Sequence, residues 1–263
     1  MAQDTLSRRD LNVLNKMKDP EANPTMAVIV DPSLPKDPNV TDSSVYERVS
    51  RKERDIVAAI QQLEMELAGL RPSTSTEPTN DYIRHVHELG QLISDHPRYA
   101  SARNNRAQAL RRLYGDRMLM PGQPDPRALI RDAHMDEISQ AALTALSDLD
   151  EAISLLTPKS LFAPISPVVG RTLSQAHTQR AAIYYMTSKS IQSDVKISLG
   201  GRKEEKWTRL DFESAASRDF SLGGRYGNEI AKGLAVSTNP TAKLCGQIVR
   251  EAMKKEYGPA FAQ

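Results

Sequence analysis

The sequence predicts an all-α fold: about three helical hairpins stacked in an array and closed by a C-terminal helix. Three observations carry this expectation. Apolar residues recur three and four positions apart in segment after segment, proline and glycine punctuate those segments, and no stretch alternates with the period of two that a strand requires.

Residues 1–46 carry prolines at positions 20, 24, 32, 35 and 38 among scattered Asp and Asn, and read as a flexible arm. From Ser50 the texture changes. Ile56, Ile60, Leu63, Leu67 and Leu70 form a helical stripe that Pro72 ends, and Tyr82, Ile83, Val86, Leu89 and Ile93 form the next. A helix over Ala102 to Tyr114 is closed by Gly115, a residue suited to the left-handed conformation that ends helices. A Pro-, Gly- and Asp-rich insert at 117–132 separates it from an amphipathic run, Ile138 to Leu156. Further helices are expected at Thr172 to Met186, Trp207 to Phe220 and Ala242 to Tyr257. The domain reading is an arm at 1–46, a repeat region at 47–238 with hairpins at about 50–97, 101–157 and 172–221, and a capping helix and tail at 239–263.

Composition narrows the function classes. The formal net charge of +2 supplies no long-range field for nucleic acid or an acidic membrane. The mixed-sign runs Arg51 to Asp55 and Arg202 to Lys206 are expected to be solvated faces. Cys245 is the sole cysteine, so neither an internal disulfide nor a multi-thiolate zinc site can form. The apolar stretches are too short to span a bilayer, and the first residues lack signal-peptide character. The expected location is the cytoplasm or the nucleus.

Two segments repeat one another. Asn104-Asn-Arg-Ala-Gln-Ala-Leu110 matches Thr178-Gln-Arg-Ala-Ala-Ile-Tyr184, and Ala145 to Ala152 matches Thr208 to Ala215. Arg106 and Arg180 lie 74 positions apart, roughly twice the period of about 34 residues of tetratricopeptide repeats. Small residues at Ala107, Ala145 and Ala152 allow close helix approach, and Leu110, Leu149 and Phe212 fill the space beside them. Each unit places an arginine on its first helix and an aspartate on its second. Two intra-repeat salt bridges are therefore expected, Arg106 with Asp148 and Arg180 with Asp211.

On these residues the chain resembles the tetratricopeptide repeat protein 36 family, from about Leu11 to Tyr257. The carriers are Asn104 to Ala109, Asp148 to Ala152, Gln179-Arg180, Asp211 to Ala216 and Asn239-Pro-Thr-Ala-Lys-Leu-Cys245, with a fainter likeness in Leu14 to Pro20. The resemblance implies a right-handed superhelical array of three repeats that acts as a non-catalytic adaptor. It also implies chaperone binding and a link to tyrosine catabolism through a partner enzyme. The chain departs from the family in its longer inserts and in its first repeat, where His85 and Leu92 stand in place of small residues.

A co-chaperone of this repeat class captures an acidic carboxyl terminus with convergent Lys, Asn and Arg side chains. Here Asn105 fills the central asparagine position, but Gln175 and Gln179 stand where the clamp supplies Lys and Arg. The concave face is instead expected to be polar and amide-rich, formed by Asn104, Asn105, Gln108, Arg111, Arg112, Gln175, Thr178 and Gln179. Such a face suits an extended peptide or a helix held by side-chain hydrogen bonds.

No hydrolase elbow, phosphate-binding loop or nicotinamide fingerprint is present. His85 and His87 are two apart on a helix and point in different directions, so no metal site is expected there. His177 is expected to be a packed histidine and Cys245 a small buried apolar residue. The chain is read as a non-enzyme without cofactor, whose partner is a heat-shock chaperone or a client metabolic enzyme, with neither nucleic acid nor membrane involved. The alternatives are a structural subunit of a larger assembly and an enzyme whose site these motifs miss.

Overall fold

The computed structural model of the chain describes residues 28–120, 125–160, 163–191, 197 and 199–257. Among the described residues eight α-helices run in order: α1 Ser43–Leu67, α2 Pro78–Asp95, α3 Ala100–Tyr114, α4 Met135–Leu156, α5 Pro167–Ser190, α6 Arg209–Arg225, α7 Glu229–Thr238 and α8 Pro240–Tyr257. A 3-10 turn, Lys203–Lys206, precedes α6. Among the described residues there is no strand, only an isolated parallel bridge between Val30 and Ile165.

Local chemistry sets the helix starts. Asp42 accepts from the Ser44 and Val45 amides and caps α1, so that helix begins seven residues before the Ser50 expected from periodicity. Pro78, Pro167 and Pro240 each occupy a first-turn position, where a missing N–H removes nothing from the helix. Gly115 ends α3 at φ +82°, and a Cβ there would sit 2.4 Å from the Asp125 side chain. The sequence reading missed α7, a ten-residue helix interrupted by Gly233 and capped by Asn228.

Consecutive helices pack as three antiparallel hairpins, α1–α2, α3–α4 and α5–α6, with α2 against α3 and α4 against α5 joining them. The main core threads the second and third hairpins. Ala107, Ala145, Ala152, Ala181 and Ala216 are fully buried, which lets the helix axes approach, while Leu146, Leu149, Leu173 and Phe212 fill the remaining volume. Each such large side chain contributes about 1.5–3 kcal/mol through burial. α7 closes the third hairpin: Ala231 lies against Gly223, where a Cβ would meet Thr178 Oγ1 at 2.5 Å.

Arg106 meets Asp148 bidentately, Nε to Oδ2 at 2.6 Å and Nη2 to Oδ1 at 2.8 Å, and Arg103 adds a contact at 3.2 Å. The expected pair of Arg180 with Asp211 is corrected. Arg180 instead holds Asp219 bidentately, at 2.7 and 2.8 Å, and reaches Asp150 at 2.7 Å. Asp211 lies in the first turn of α6, where it forms a capping box with Thr208. The motif Asp-Phe-x-x-small occurs twice in α6, at Asp211 and again at Asp219. Only the second lies deep enough along the hairpin to face Arg180. The repeat unit is therefore Ala-x-x-Asp-(Leu/Phe)-x-x-(Ala/Gly), at 145–152 and 216–223.

Two further expectations change. Residues 28–42, read as part of a flexible arm, form a strap across the loops that join one hairpin to the next. Asp31 N donates to Ile165 O at 2.9 Å, Asn39 Nδ2 to Leu155 O at 3.0 Å, and Ser166 Oγ to Lys36 O at 3.3 Å. Backbone groups that prolines cannot organise locally are satisfied here by other elements. Residues 1–27, including the Leu14 to Pro20 segment, lie outside the described residues. The charge runs are not simply solvated: Glu53 is buried, and Glu204 is fully buried against Tyr184 and Arg202.

The two aspartates of α6 separate experimentally. Asp219→Asn removes the buried carboxylate that Arg180 and His177 share, leaving Arg180 only its pair with Asp150, and is expected to destabilise the fold by about 3 kcal/mol. Asp211→Asn weakens a cap and is expected to cost about 1 kcal/mol. Chemical denaturation of both variants measures the difference, and equal losses would contradict the assignment of the buried pair to Asp219.

Candidate functional site

The first helices of the three hairpins line one groove. Val57, Ile60, Gln61 and Glu64 of α1, Asn105, Gln108, Arg111 and Arg112 of α3, and Gln175, Thr178 and Gln179 of α5 face a cavity of about 1080 Å³. Its far wall is the insert after α3. Asp125 accepts from the Asp116 and Arg127 amides at 2.9 and 3.0 Å, while the Leu129 and Ile130 amides donate to the carbonyls of Arg112 and Leu113 at 3.2 and 2.9 Å. The insert thus satisfies orphan carbonyls at the end of α3 and brings the exposed Arg127 and Arg131 to the groove.

Of the eight residues expected on this face, all but Asn104 line the cavity. Asn104 is 1% exposed and turns toward α5, donating to Gln175 Oε1 at 3.2 Å and accepting from Gln179 Nε2 at 2.8 Å. Gln179 is buried as well, and also binds the Asn104 carbonyl at 3.3 Å. These two amides join the second repeat to the third and position their neighbours. Gln108 and Gln175 are exposed on the groove surface.

The groove's charges are largely engaged. Arg111 donates to Asp116 at 2.7 Å and to Gln179 at 3.3 Å, and Arg112 donates to Glu64 at 2.9 Å and to the Arg127 carbonyl at 2.5 Å. Asn105 donates to Glu53 Oε1 at 2.7 Å, and Tyr99 OH donates to the other oxygen of the same carboxylate. Burial pushes the Glu53 carboxyl up from its ordinary value, against the opposing pull of Tyr99, Ser101 and Asn105.

Behind the groove lies a polar chain that periodicity alone does not reveal. His177 Nδ1 lies 2.9 Å from Asp219 Oδ1, with its ring stacked on Tyr226 at 6.0 Å. Asp219 binds Arg180, Arg180 binds Asp150, and Asp150 accepts from Arg202 at 2.5 Å. Burial alone would raise the Asp219 carboxyl, but Arg180 and His177 hold it below the ordinary value of 3.8. Trp207 packs edge-on against Tyr184 and Phe212, both at 5.2 Å. Cys245, expected to be buried, is exposed on α8. Periodicity mislocates it because α8 turns its apolar side outward.

Two residues of the α1 face, Ile60 and Glu64, were recoverable from four-residue spacing once α1 is a helix. The insert residues were not, because their place depends on a hydrogen-bonded return to α3.

Glu53 gives a pH test. A carboxyl raised above its unfolded value stabilises the fold most when protonated, and that increment is lost as pH rises through the folded value. Glu53→Gln is expected to flatten the decline in stability as pH rises above about 4.5, the ordinary value. Denaturation midpoints measured across pH would show parallel curves if Glu53 did not contribute.

No protein-family model and no solved structure matches the chain. Sequence relatives do. The L-tyrosine degradation gene cluster protein hmgX of Aspergillus fumigatus is 35% identical over 96% of this chain and 93% of its own length. Tetratricopeptide repeat protein 36 of Danio rerio is 27% identical over 92% of this chain and 91% of its own length, and that of Xenopus tropicalis is 27% identical over 82% and 70%. Among the described residues no helix is long and apolar enough to cross a membrane. Three helical hairpins, two of them tied by an arginine, a groove lined by their first helices, and these similarities over nearly full length lead to one conclusion: the chain belongs to the tetratricopeptide repeat protein 36 family.

Proposed function

We propose that this protein is a non-catalytic cytoplasmic adaptor of tyrosine catabolism, whose groove holds a segment of one of the metabolic enzymes. The observation that carries this reading is the groove itself. It is about 1080 Å³, too large and open in its polar lining for a small metabolite and of a size to accept a helix or extended segment. The apolar floor at Val57, Ile60 and Ala109 would take alternate side chains. Gln108 and Gln175 would hydrogen-bond the backbone or side chains of the bound segment.

The chemistry of the arginines supports an enzyme segment over a chaperone tail. Capture of a dicarboxylate terminus needs several convergent cations, whereas Arg111 and Arg112 on the repeat helices already hold Asp116 and Glu64, and the exposed Arg127 and Arg131 lie on the insert at the groove's edge. A tail would have to displace both acids. The absence of catalysis is likewise a reading of chemistry. His177, the buried imidazole, is bonded to Asp219 and covered by Tyr226, which suits a structural group rather than a base with access to substrate. The link to tyrosine breakdown comes from the name of the Aspergillus relative.

The test pairs the purified chain with each purified enzyme of tyrosine breakdown, and with heat-shock chaperones, by calorimetry. One enzyme is expected to bind, and Gln108→Glu with Gln175→Glu is expected to weaken that binding at least about tenfold, roughly 1.4 kcal/mol. Binding of none of the enzymes, or of a chaperone alone, would overturn the proposal, as would an affinity that the double variant leaves unchanged.

A further inference from the structure

α8 is turned the opposite way from an ordinary surface helix. Every described side chain on it is exposed or half-buried. Its tie to the array is polar, with Lys243 Nζ 3.3 Å from Glu213 Oε1 on α6. At 100° per residue, Lys243, Arg250 and Lys254 share that inward side. Leu244, Cys245, Ile248, Val249 and Ala252 share the side facing away, with the half-buried Met253 at its edge. Leu244, Ile248 and Val249 are 56%, 57% and 56% exposed. The terminal unit of a helical repeat array ordinarily turns a polar face to water, and a continuous apolar face in its place marks an interaction surface.

We infer that this face is covered by α8 of a second copy of the chain, in a symmetric antiparallel pair. The pattern is its own complement. Reversed about the midpoint between Ile248 and Val249, Leu244 falls opposite Met253, Cys245 opposite Ala252 and Ile248 opposite Val249, so each apolar residue meets an apolar residue across a two-fold axis. The two faces together bury on the order of 1,000 Å², the lower bound for a specific interface. The first described residues lie toward the other end of the third hairpin from the point where α8 is tied. The described chain starts beside Ile165 at the beginning of α5, next to the end of α6, as the Ser174 Oγ bond to Gly223 O at 2.8 Å shows. α8 is tied instead to Glu213, near the start of α6. The groove lies on other elements and is independent of this pairing.

Sedimentation of the full-length chain at micromolar concentration is expected to give twice the 29.1 kDa mass of one copy. Leu244→Glu with Ile248→Glu is expected to return a single copy with unchanged far-ultraviolet circular dichroism. Geometry is read separately by cysteine chemistry: with Ala252→Cys added, Cys245 of one copy lies opposite residue 252 of the other, and oxidation is expected to give a covalent dimer that Cys245→Ser abolishes. A native chain that sediments as one copy overturns the proposal, as does a dimer that survives both glutamates. A single copy in which residues 6–17 are protected from deuterium exchange until the glutamates are introduced overturns it in favour of the amino-terminal segment.

Discussion

The fold depends on a guanidinium in the first helix of a hairpin finding a carboxylate in the second. Arg106 with Asp148, and Arg180 with Asp219, are bidentate pairs whose carboxylates are almost fully buried. A hydrophobic helix pair tolerates sliding by a turn, because leucine against alanine is nearly as good one step along. A planar fork on a buried carboxylate does not, since a slip leaves a charge in the core. These pairs set hairpin register, and register decides which side chains reach the groove.

The third hairpin extends the same logic. Asp219 takes His177 as well as Arg180, and the chain of contacts continues through Asp150 and Arg202 to Glu204 and Tyr184. Each member satisfies its neighbour, so a polar string occupies the core without orphaned charge. Arg180 has its charged form favoured by Asp219 despite the burial that opposes it. On the groove side, the second and third hairpins are also joined by neutral amides, Asn104 with Gln175 and Gln179, in addition to the Arg180 to Asp150 ion pair.

A scaffold locked in this way can present a groove whose polar residues are held before any partner arrives. Asn105, Arg111 and Arg112 each have an intramolecular partner, so little side-chain entropy remains to be lost at those positions on binding. The exposed amides Gln108 and Gln175 carry the adaptable contacts. The insert after α3 closes one side and brings two arginines to it, so specificity resides in a segment added to the repeat.

Helical periodicity, the proline and glycine stops, and the repeated arginine with its following alanine determined the all-α class, the hairpins and most of the groove face, because these are consequences of spacing along a single helix. The pair of Arg106 with Asp148 follows from that spacing, and the first hairpin and the membership of Asn105, Gln108 and Thr178 in the groove follow from spacing together with the resemblance to tetratricopeptide repeats. Tertiary structure alone decided what depends on depth and direction. Asp211 and Asp219 carry the same local motif, and only the antiparallel overlap of α5 with α6 selects the second. Asn104 and Asn105 are adjacent in the chain, yet one turn of 100° sends the first into the interface between repeats and the second into the groove. Cys245 reads as a buried apolar residue until Lys243 is seen to hold the opposite face of α8 against the array. A stripe fixes that a face is apolar, and only the packing of its neighbours fixes which way it points.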